Sequence, residues 1–293
     1  MQKAKDEMIG LIGGSGLGDV FEQQLINVRK IKVSTPFGRP SADIVTGKFA
    51  GRKLAFLNRH GDGHILNPSI VPFAANIYAL KKIGVTNVIA TTAVGSLIQK
   101  IKPRDLVIVD QLIDKTFKRQ NTFFDGVAAV HCEMAKPFCE RLRNVIAKVS
   151  KNVDATVHKS GTYVCMEGPQ FSTRAESLMH QKWGGHLIGM TAMPEAKLAR
   201  EAQMCYVLVS MVSDYDCWKP QKKTAPQELI KEIIGNLNKA TENTIKLIEA
   251  VLKSKNVFCD ESCSCRKSLD LAVWTAKQNI NRKYDEIFKV LRS

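Results

Sequence analysis

The chain has 293 residues, 44% of them hydrophobic and 24% charged, the make-up of a folded globular protein with one large domain or two ordinary ones. With 43 Lys and Arg against 28 Asp and Glu, the formal net charge is +15, which raises nucleic acid as a partner. The basic residues are interleaved with acids, and no zinc finger, basic zipper or aromatic RNA-binding motif accompanies them, so a solvated surface that attracts small anions is expected instead. No apolar run reaches membrane-spanning length and no signal core precedes the first strand-like run, so a cytoplasmic chain with no membrane partner is expected.

Met8 to Ile12 reads as a short buried strand that runs into Gly13-Gly14-Ser15-Gly16-Leu17-Gly18. Strand followed by a Gly-rich loop brings backbone N–H groups close to a phosphate, although tight turns use the same residues. No Lys-Ser/Thr pair follows, so this is not a P-loop. Two strand-like runs, Asp43 to Lys48 and Lys53 to Asn58, are joined by an Ala50-Gly51 turn. The second delivers Arg59-His60-Gly61 and then His64. Arg59 has the shape to fork two phosphate oxygens and His60 can add a donor or position the nucleophile; a surface Arg-His pair is the plainer alternative.

Helical spacing over Ser69 to Lys82 stops before Gly84. Val85 to Ala93 is a strand ending in Thr91-Thr92-Ala93-Val94-Gly95-Ser96, whose small hydroxyl residues suit an anion or a sugar. Leu106 to Ile113 reads as one buried strand, Met134 to Val149 as a helix, and Ala155 to Cys165 as a strand. A helix from Ser172 to Trp183, a brief strand at Ile188 and a helix from Pro194 to Glu201 follow. The strand Met204 to Ser213 then carries Asp214-Tyr215-Asp216-Cys217-Trp218 at its end. Alternation places the two acids on one side, at the carboxyl end of a strand, where open α/β sheets bind ligands; capping of a turn is the competing role. Such a pair can accept from an amino group, or protonate a leaving nitrogen if one pKa is raised. Helical spacing covers Pro226 to Lys253 and again Ser268 to Val290. Strands alternate with helices nearly to the end, which predicts a single α/β domain at 8–255 and a helical extension of it at 256–293.

Of eight cysteines, Cys132, Cys139, Cys165, Cys205 and Cys217 are scattered and read as small buried hydrophobes. Cys259, Cys263 and Cys265 cluster without a fourth ligand nearby, which argues against a structural zinc and leaves a Cys-Ser-Cys redox or stapling pair open.

In order, the Gly-Gly-Ser-Gly loop, Arg59-His60-Gly61, Thr91 to Ser96, Met166-Glu167-Gly168-Pro169-Gln170-Phe171, Gly189-Met190-Thr191 and Asp214 to Trp218 together resemble the trimeric-type purine nucleoside phosphorylases. Within them they are most similar to the branch whose substrate is 5′-methylthioadenosine. The resemblance implies a central mixed, twisted sheet flanked by helices, and phosphorolysis of an N-glycosidic bond with inorganic phosphate as co-substrate and no cofactor or metal. It implies phosphate held by Ser15, Arg59, His60, Thr92 and Ala93. It further implies a purine stacked on Phe171, Gly189, Met190 and Thr191 beneath the ribose, and Asp214 and Asp216 on the base. His131 resembles a position that reaches a neighbouring subunit's 5′ pocket, hence a homo-oligomer, trimer or hexamer. A histidine satisfied inside its own subunit is the alternative.

Asp214 points to a 6-aminopurine, since the 6-oxopurine branch carries Asn there. Broader action on adenosine or 6-oxopurine nucleosides, a water-using nucleosidase, and non-catalytic nucleic-acid binding are the competing functions. The chain departs from the resemblance at Gly189, where Asn is frequent, and over Lys219 to Gln227, which here is basic and bracketed by Pro220 and Pro226. A loop is expected over Lys219 to Pro226, with Met190 and the Leu229-Ile230 turn as apolar wall for the 5′ substituent.

Overall fold

The computed structural model describes residues 7–14, 17, 21, 23–220, 225–254, 258–281 and 284–293. Eleven strands form one sheet: β1 (Ile9–Gly13), β2 (Ile26–Ile31), β3 (Ile44–Phe49), β4 (Arg52–Asn58), β5 (Asn87–Ser96), β6 (Leu106–Ile108), β7 (Gln111–Lys115), β8 (Val157–His158), β9 (Thr162–Met166), β10 (Leu187–Gly189) and β11 (Cys205–Tyr215). The continuous path runs β2-β3-β4-β1-β5-β10-β9-β7, with β11 on the other side of β5 and β6 and β8 beyond it. Strands β4, β1, β5 and β11 are mutually parallel through their contacts, so their carboxyl ends share one edge. These are the strands with unbroken apolar runs; burial on both faces requires that pattern of a parallel centre.

Six helices cover the two faces: α1 (Phe73–Lys82), α2 (Glu140–Val149), α3 (Arg174–Lys182), α4 (Glu195–Glu201), α5 (Pro226–Lys253) and α6 (Asp285–Leu291). One core gathers α1, α4 and α6 around Ile77, Tyr78, Leu198 and Ile287; the other packs α2 and α5 on β11 through Leu142, Ile146, Leu247 and Val251. The predicted hairpin is present, with Ala50 and Gly51 both at positive φ, as a two-residue turn between twisted strands needs. Thr173 caps α3 with a reciprocal capping box to Glu176.

Five elements differ from the sequence-based expectation. The run Ala155 to Cys165 is two strands, because β8 pairs with β6 while β9 pairs with β7 and β10. The run Leu106 to Ile113 is two strands, because β6 pairs antiparallel with β11 while β7 crosses to pair with β9. The helix expected from Met134 begins only at Glu140, since Pro137 and an extended Cys139 precede it. Residues 268–290 are not one helix but turns, a short 3-10 segment at Lys277–Asn279 and α6; Leu269, Ile287 and Leu291 insert into the same core as α1. Strand β2, exposed and charged along the sheet edge, carries no apolar alternation to announce it.

The centre of the molecule is a strand that changes neighbours. On one edge β5 pairs with β11 along its whole length. On its other edge it pairs with β1 only as far as Ala90, and with the antiparallel β10 only from Gly95. Thr91 to Val94 therefore have no strand partner on that edge, at the carboxyl ends of β1 and β4.

Candidate active site

Arg59 follows β4 directly and its side chain is buried completely beside this opening. Nε and Nη2 donate to Glu195 Oε2 and Oε1 at 2.7 and 2.9 Å, and Nη1 donates to the Thr91 carbonyl at 2.8 Å. Tyr206 Oη donates to the same Glu195 at 2.8 Å. The forked face expected for phosphate is thus given to Glu195, and only the remaining N–H groups are left for an anion. Glu195 was missed by sequence reasoning because an acid in the first turn of a helix reads as a dipole partner. Gly14 lies against this contact, where a Cβ would stand 3.1 Å from Arg59 Nη1, so the Gly-Gly step lets the backbone approach. Ser15 lies outside the described residues.

His60 Nδ1 is 2.8 Å from the Leu66 carbonyl, so Nδ1 carries the proton and donates. Burial lowers its pKa to about 4, with the adjacent Arg59 charge contributing next, and the ring stacks on His64 at 4.3 Å. Neutral imidazole with Nδ1–H committed offers a lone pair at Nε2, which suits positioning of a nucleophile and not the alternative donor role. Thr92 Oγ1 and Thr191 Oγ1 meet at 2.9 Å, which joins the end of β5 to the segment after β10, with half-buried Ala93 beside them. The Arg59 guanidinium, the Thr92 and Thr191 hydroxyls and the unpaired peptide groups of β5 therefore surround one opening.

At the same sheet edge β11 shifts register between Val212 and Asp214, and Asp214 then pairs with Gly95. Asp214 Oδ2 accepts from Ser213 Oγ at 2.6 Å. Burial raises the Asp214 pKa; the Ser213 hydrogen bond opposes this and the charge of Asp216 adds to it. Asp216 Oδ2 is buried with no hydrogen-bond partner among the described residues. A Cβ on Gly95 would lie 3.3 Å from both Asp214 Oδ1 and the Asp216 Cβ, so the two acids flank that glycine as the alternation predicted. Trp218 Nε1 donates to the Ser96 carbonyl at 2.8 Å and pins the Asp-Tyr-Asp-Cys-Trp turn to the end of β5. Cys217 Sγ rests on the Ser172 carbonyl, a packing role.

Phe171 is 87% exposed in the loop before α3. Met190 packs under Gly168, where a Cβ would be 2.6 Å from its sulfur. Gly189 is fixed by Tyr163, whose hydroxyl would lie 2.1 Å from a Cβ there. An Asn at this position would overlap a completely buried ring, which accounts for the departure at Gly189. The shelf is anchored by Arg119, which sequence reasoning also missed: it donates to the Met190, Met193 and Glu167 carbonyls and pairs with Glu167 Oε1 at 3.2 Å. Leu229 and Ile230 lie near the start of α5, within the helix expected over Pro226 to Lys253, and Ile230 is 56% exposed. Residues 221–224 lie outside the described residues. His131 is exposed, packs edge-on against Trp274 at 5.0 Å and borders a cavity of about 460 Å³ shared with Phe124, Lys197 and Glu201.

The described residues that can gather round a metal lie elsewhere. Cys139 and Cys205, read from sequence as isolated hydrophobes, meet Cys263 and Cys265.

The Arg59-lined opening on β5 and the acid pair at the end of the neighbouring β11 share one sheet edge, where open α/β enzymes bind their substrates. The sequence model of the phosphorylase superfamily matches residues 8–253, and the chain belongs to that family. It is 45% identical over 269 residues to S-methyl-5′-thioadenosine phosphorylase of Cereibacter sphaeroides, covering 92% of this chain and 91% of the relative. The structure of a methylthioadenosine phosphorylase from an antarctic soil metagenomic library superposes with a TM-score of 0.87 at 40% identity, covering 98% of this chain and 99% of that one. A point variant of adenosine/methylthioadenosine phosphorylase from Schistosoma mansoni, solved with methylthioadenosine, gives a TM-score of 0.76 at 34% identity over 84% and 91% of the two chains.

Proposed function

We propose that the chain cleaves 5′-methylthioadenosine with inorganic phosphate, giving adenine and 5-methylthioribose 1-phosphate. The observation that carries this is the opening at Thr91 to Val94 of β5, with Arg59 at its mouth and two acids at the end of the neighbouring parallel strand β11. Phosphate is held by the free Arg59 N–H groups and the Thr92 and Thr191 hydroxyls, with Ser15 in the Gly-rich loop and the Ala93 backbone completing the set. His60 Nε2 accepts from a phosphate hydroxyl and so orients the nucleophile. Phosphate oxygen attacks C1′ as the C1′–N9 bond breaks, and negative charge flows into the purine. Asp214, whose pKa is raised, protonates N7 and its carbonyl oxygen accepts from the 6-amino group; the unpaired Asp216 oxygen supports it. No covalent enzyme intermediate and no cofactor enter these steps.

Phe171 covers the purine and Met190 the ribose. His131, exposed beside Trp274, is offered to a neighbouring copy, which makes the active unit a homo-oligomer, trimer or hexamer. The apolar Met190 and the first turn of α5 favour a methylthio group over a hydroxyl by one contact, about 1–3 kcal/mol, so methylthioadenosine is preferred and adenosine accepted.

Release of the free base (adenine, or hypoxanthine from inosine) measured with and without phosphate, on methylthioadenosine, adenosine and inosine, tests the assignment. Strict phosphate dependence and a kcat/KM order of methylthioadenosine, then adenosine, then inosine are expected. Equal release without phosphate would make the enzyme a nucleosidase. A preference for inosine would overturn the reading of Asp214.

A further inference from the structure

The sulfurs of Cys139, Cys205, Cys263 and Cys265 all lie within 4.8 Å of one another, and all four residues are buried. They come from three separate stretches: the residue before α2, the first residue of β11, and the segment after α5. The cluster sits at the amino end of β11, whereas Asp214 is near its carboxyl end, about 30 Å away by strand rise, so it plays no part in the glycosidic chemistry. Four thiolates around zinc at about 2.3 Å form a tetrahedron with edges of about 3.8 Å. The Cys139 to Cys263 distance is already 3.7 Å.

The surroundings of the cluster are cationic. Arg200 Nη1 donates to Cys265 Sγ at 3.5 Å and reaches no carboxylate among the described residues. Lys81 is buried and its ammonium has no hydrogen-bond partner among the described residues. A buried guanidinium beside four neutral thiols, with no carboxylate partner among the described residues, is costly in an apolar core. Four thiolates around one divalent ion carry two negative charges and offset it.

We propose that Cys139, Cys205, Cys263 and Cys265 form a closed tetrathiolate site for a zinc ion. Four S–H protons leave to solvent, four Zn–S bonds form, and no oxidant is required. Cys259, 3.3 Å from Cys139 Sγ and clamped through its backbone by the Asn87 amide, stays a thiol and donates to the bound sulfur. With every coordination position filled by protein the ion is structural, and it ties the segment after α5 to α2 and to the sheet.

Zinc content and thiol count on the full-length protein, purified without reductant, decide the matter. The expected result is one zinc per chain, released on denaturation with chelator, and all eight cysteines titrating as thiols. Cobalt in its place should give thiolate-to-metal charge-transfer absorption. Cys265→Ser should reduce zinc to background, while Cys132→Ser, outside the cluster, should keep it. Absence of zinc above background after incubating the reduced protein with zinc overturns the proposal, as do thiols missing in pairs, which would mean disulfides. Full zinc in Cys265→Ser overturns this ligand set. If that variant does not fold, the wild-type zinc, thiol and cobalt measurements decide alone.

Discussion

Gly189→Ala isolates the contact that most constrains the ribose shelf. Its Cβ would stand 2.1 Å from the Tyr163 hydroxyl, 2.6 Å from Cζ and 3.1 Å from Cε2, where ordinary contacts are about 3.5–4.0 Å. The ring must retreat by about 1 Å or more, yet it is rigid and completely buried, so the cost falls near the top of the roughly 1–3 kcal/mol range for overpacking. Retreat also weakens the hydrogen bond from Thr191 N to Tyr163 Oη at 3.3 Å, worth about 1 kcal/mol. Because Thr191 holds Thr92, the same movement should raise the KM for phosphate. Tyr163→Phe removes the closest atom but leaves the Thr191 N–H without its acceptor, a loss of about 1–3 kcal/mol. The double variant, relieved of the worst overlap, should be about 1 kcal/mol or more stabler than the sum of the singles predicts. Urea unfolding of the four proteins, with phosphate KM for each, measures both effects. A Gly189→Ala protein with wild-type stability and phosphate KM, or strict additivity in the double, would refute the reasoning.

Arg59→Ala strips Glu195 of its buried partner and should destabilise the fold by about 3–5 kcal/mol. It should also lower kcat/KM for phosphate by the equivalent of about 2–4 kcal/mol; an unchanged phosphate KM in the folded fraction would count against the anion site. Asp214→Asn should lose activity on methylthioadenosine and gain relative activity on inosine, because an amide can donate to a 6-oxo group; retained adenine preference would contradict it. Glu167, whose carboxyl is held at about 2 against burial by hydrogen bonds and by Arg119, adds stability that is complete above the ordinary glutamate range near 4.5 and is lost as pH falls toward 2. The stability gap between wild type and Glu167→Gln should therefore close on acidification through that window, and a gap independent of pH would remove Glu167 as the cause.

The strand ends that bear Arg59, Thr92, Asp214 and Asp216 were legible because, in a chain that alternates strands with helices, an apolar run broken by Gly, Thr or Asp marks where a buried strand surfaces. The hairpin at Ala50-Gly51 and the helix Pro226–Lys253 were legible for a similarly local reason, a turn signal and a sustained period. What escaped was long-range. Glu195 stands 136 positions from Arg59, Cys139 stands 124 from Cys263, and neither pairing leaves a mark on its local pattern. The split between β6 and β7 escaped because one apolar run serves two different partners. Gly189 read only as a departure from a frequent Asn, and Tyr163 shows it to be a steric demand.

The interrupted edge of β5 has a consequence for how this protein can change. A cavity made by the absence of a neighbouring strand is written in the numbering of the ladder more than in side chains. Residues at 91–94 can be exchanged for others of similar size while the breach stays where it is. Inserting or deleting a single residue between Ala90 and Gly95 would instead turn every following side chain to the opposite face and slide Asp214 past its glycine. Descent with substitution is open to this stretch, and descent with change of length is closed.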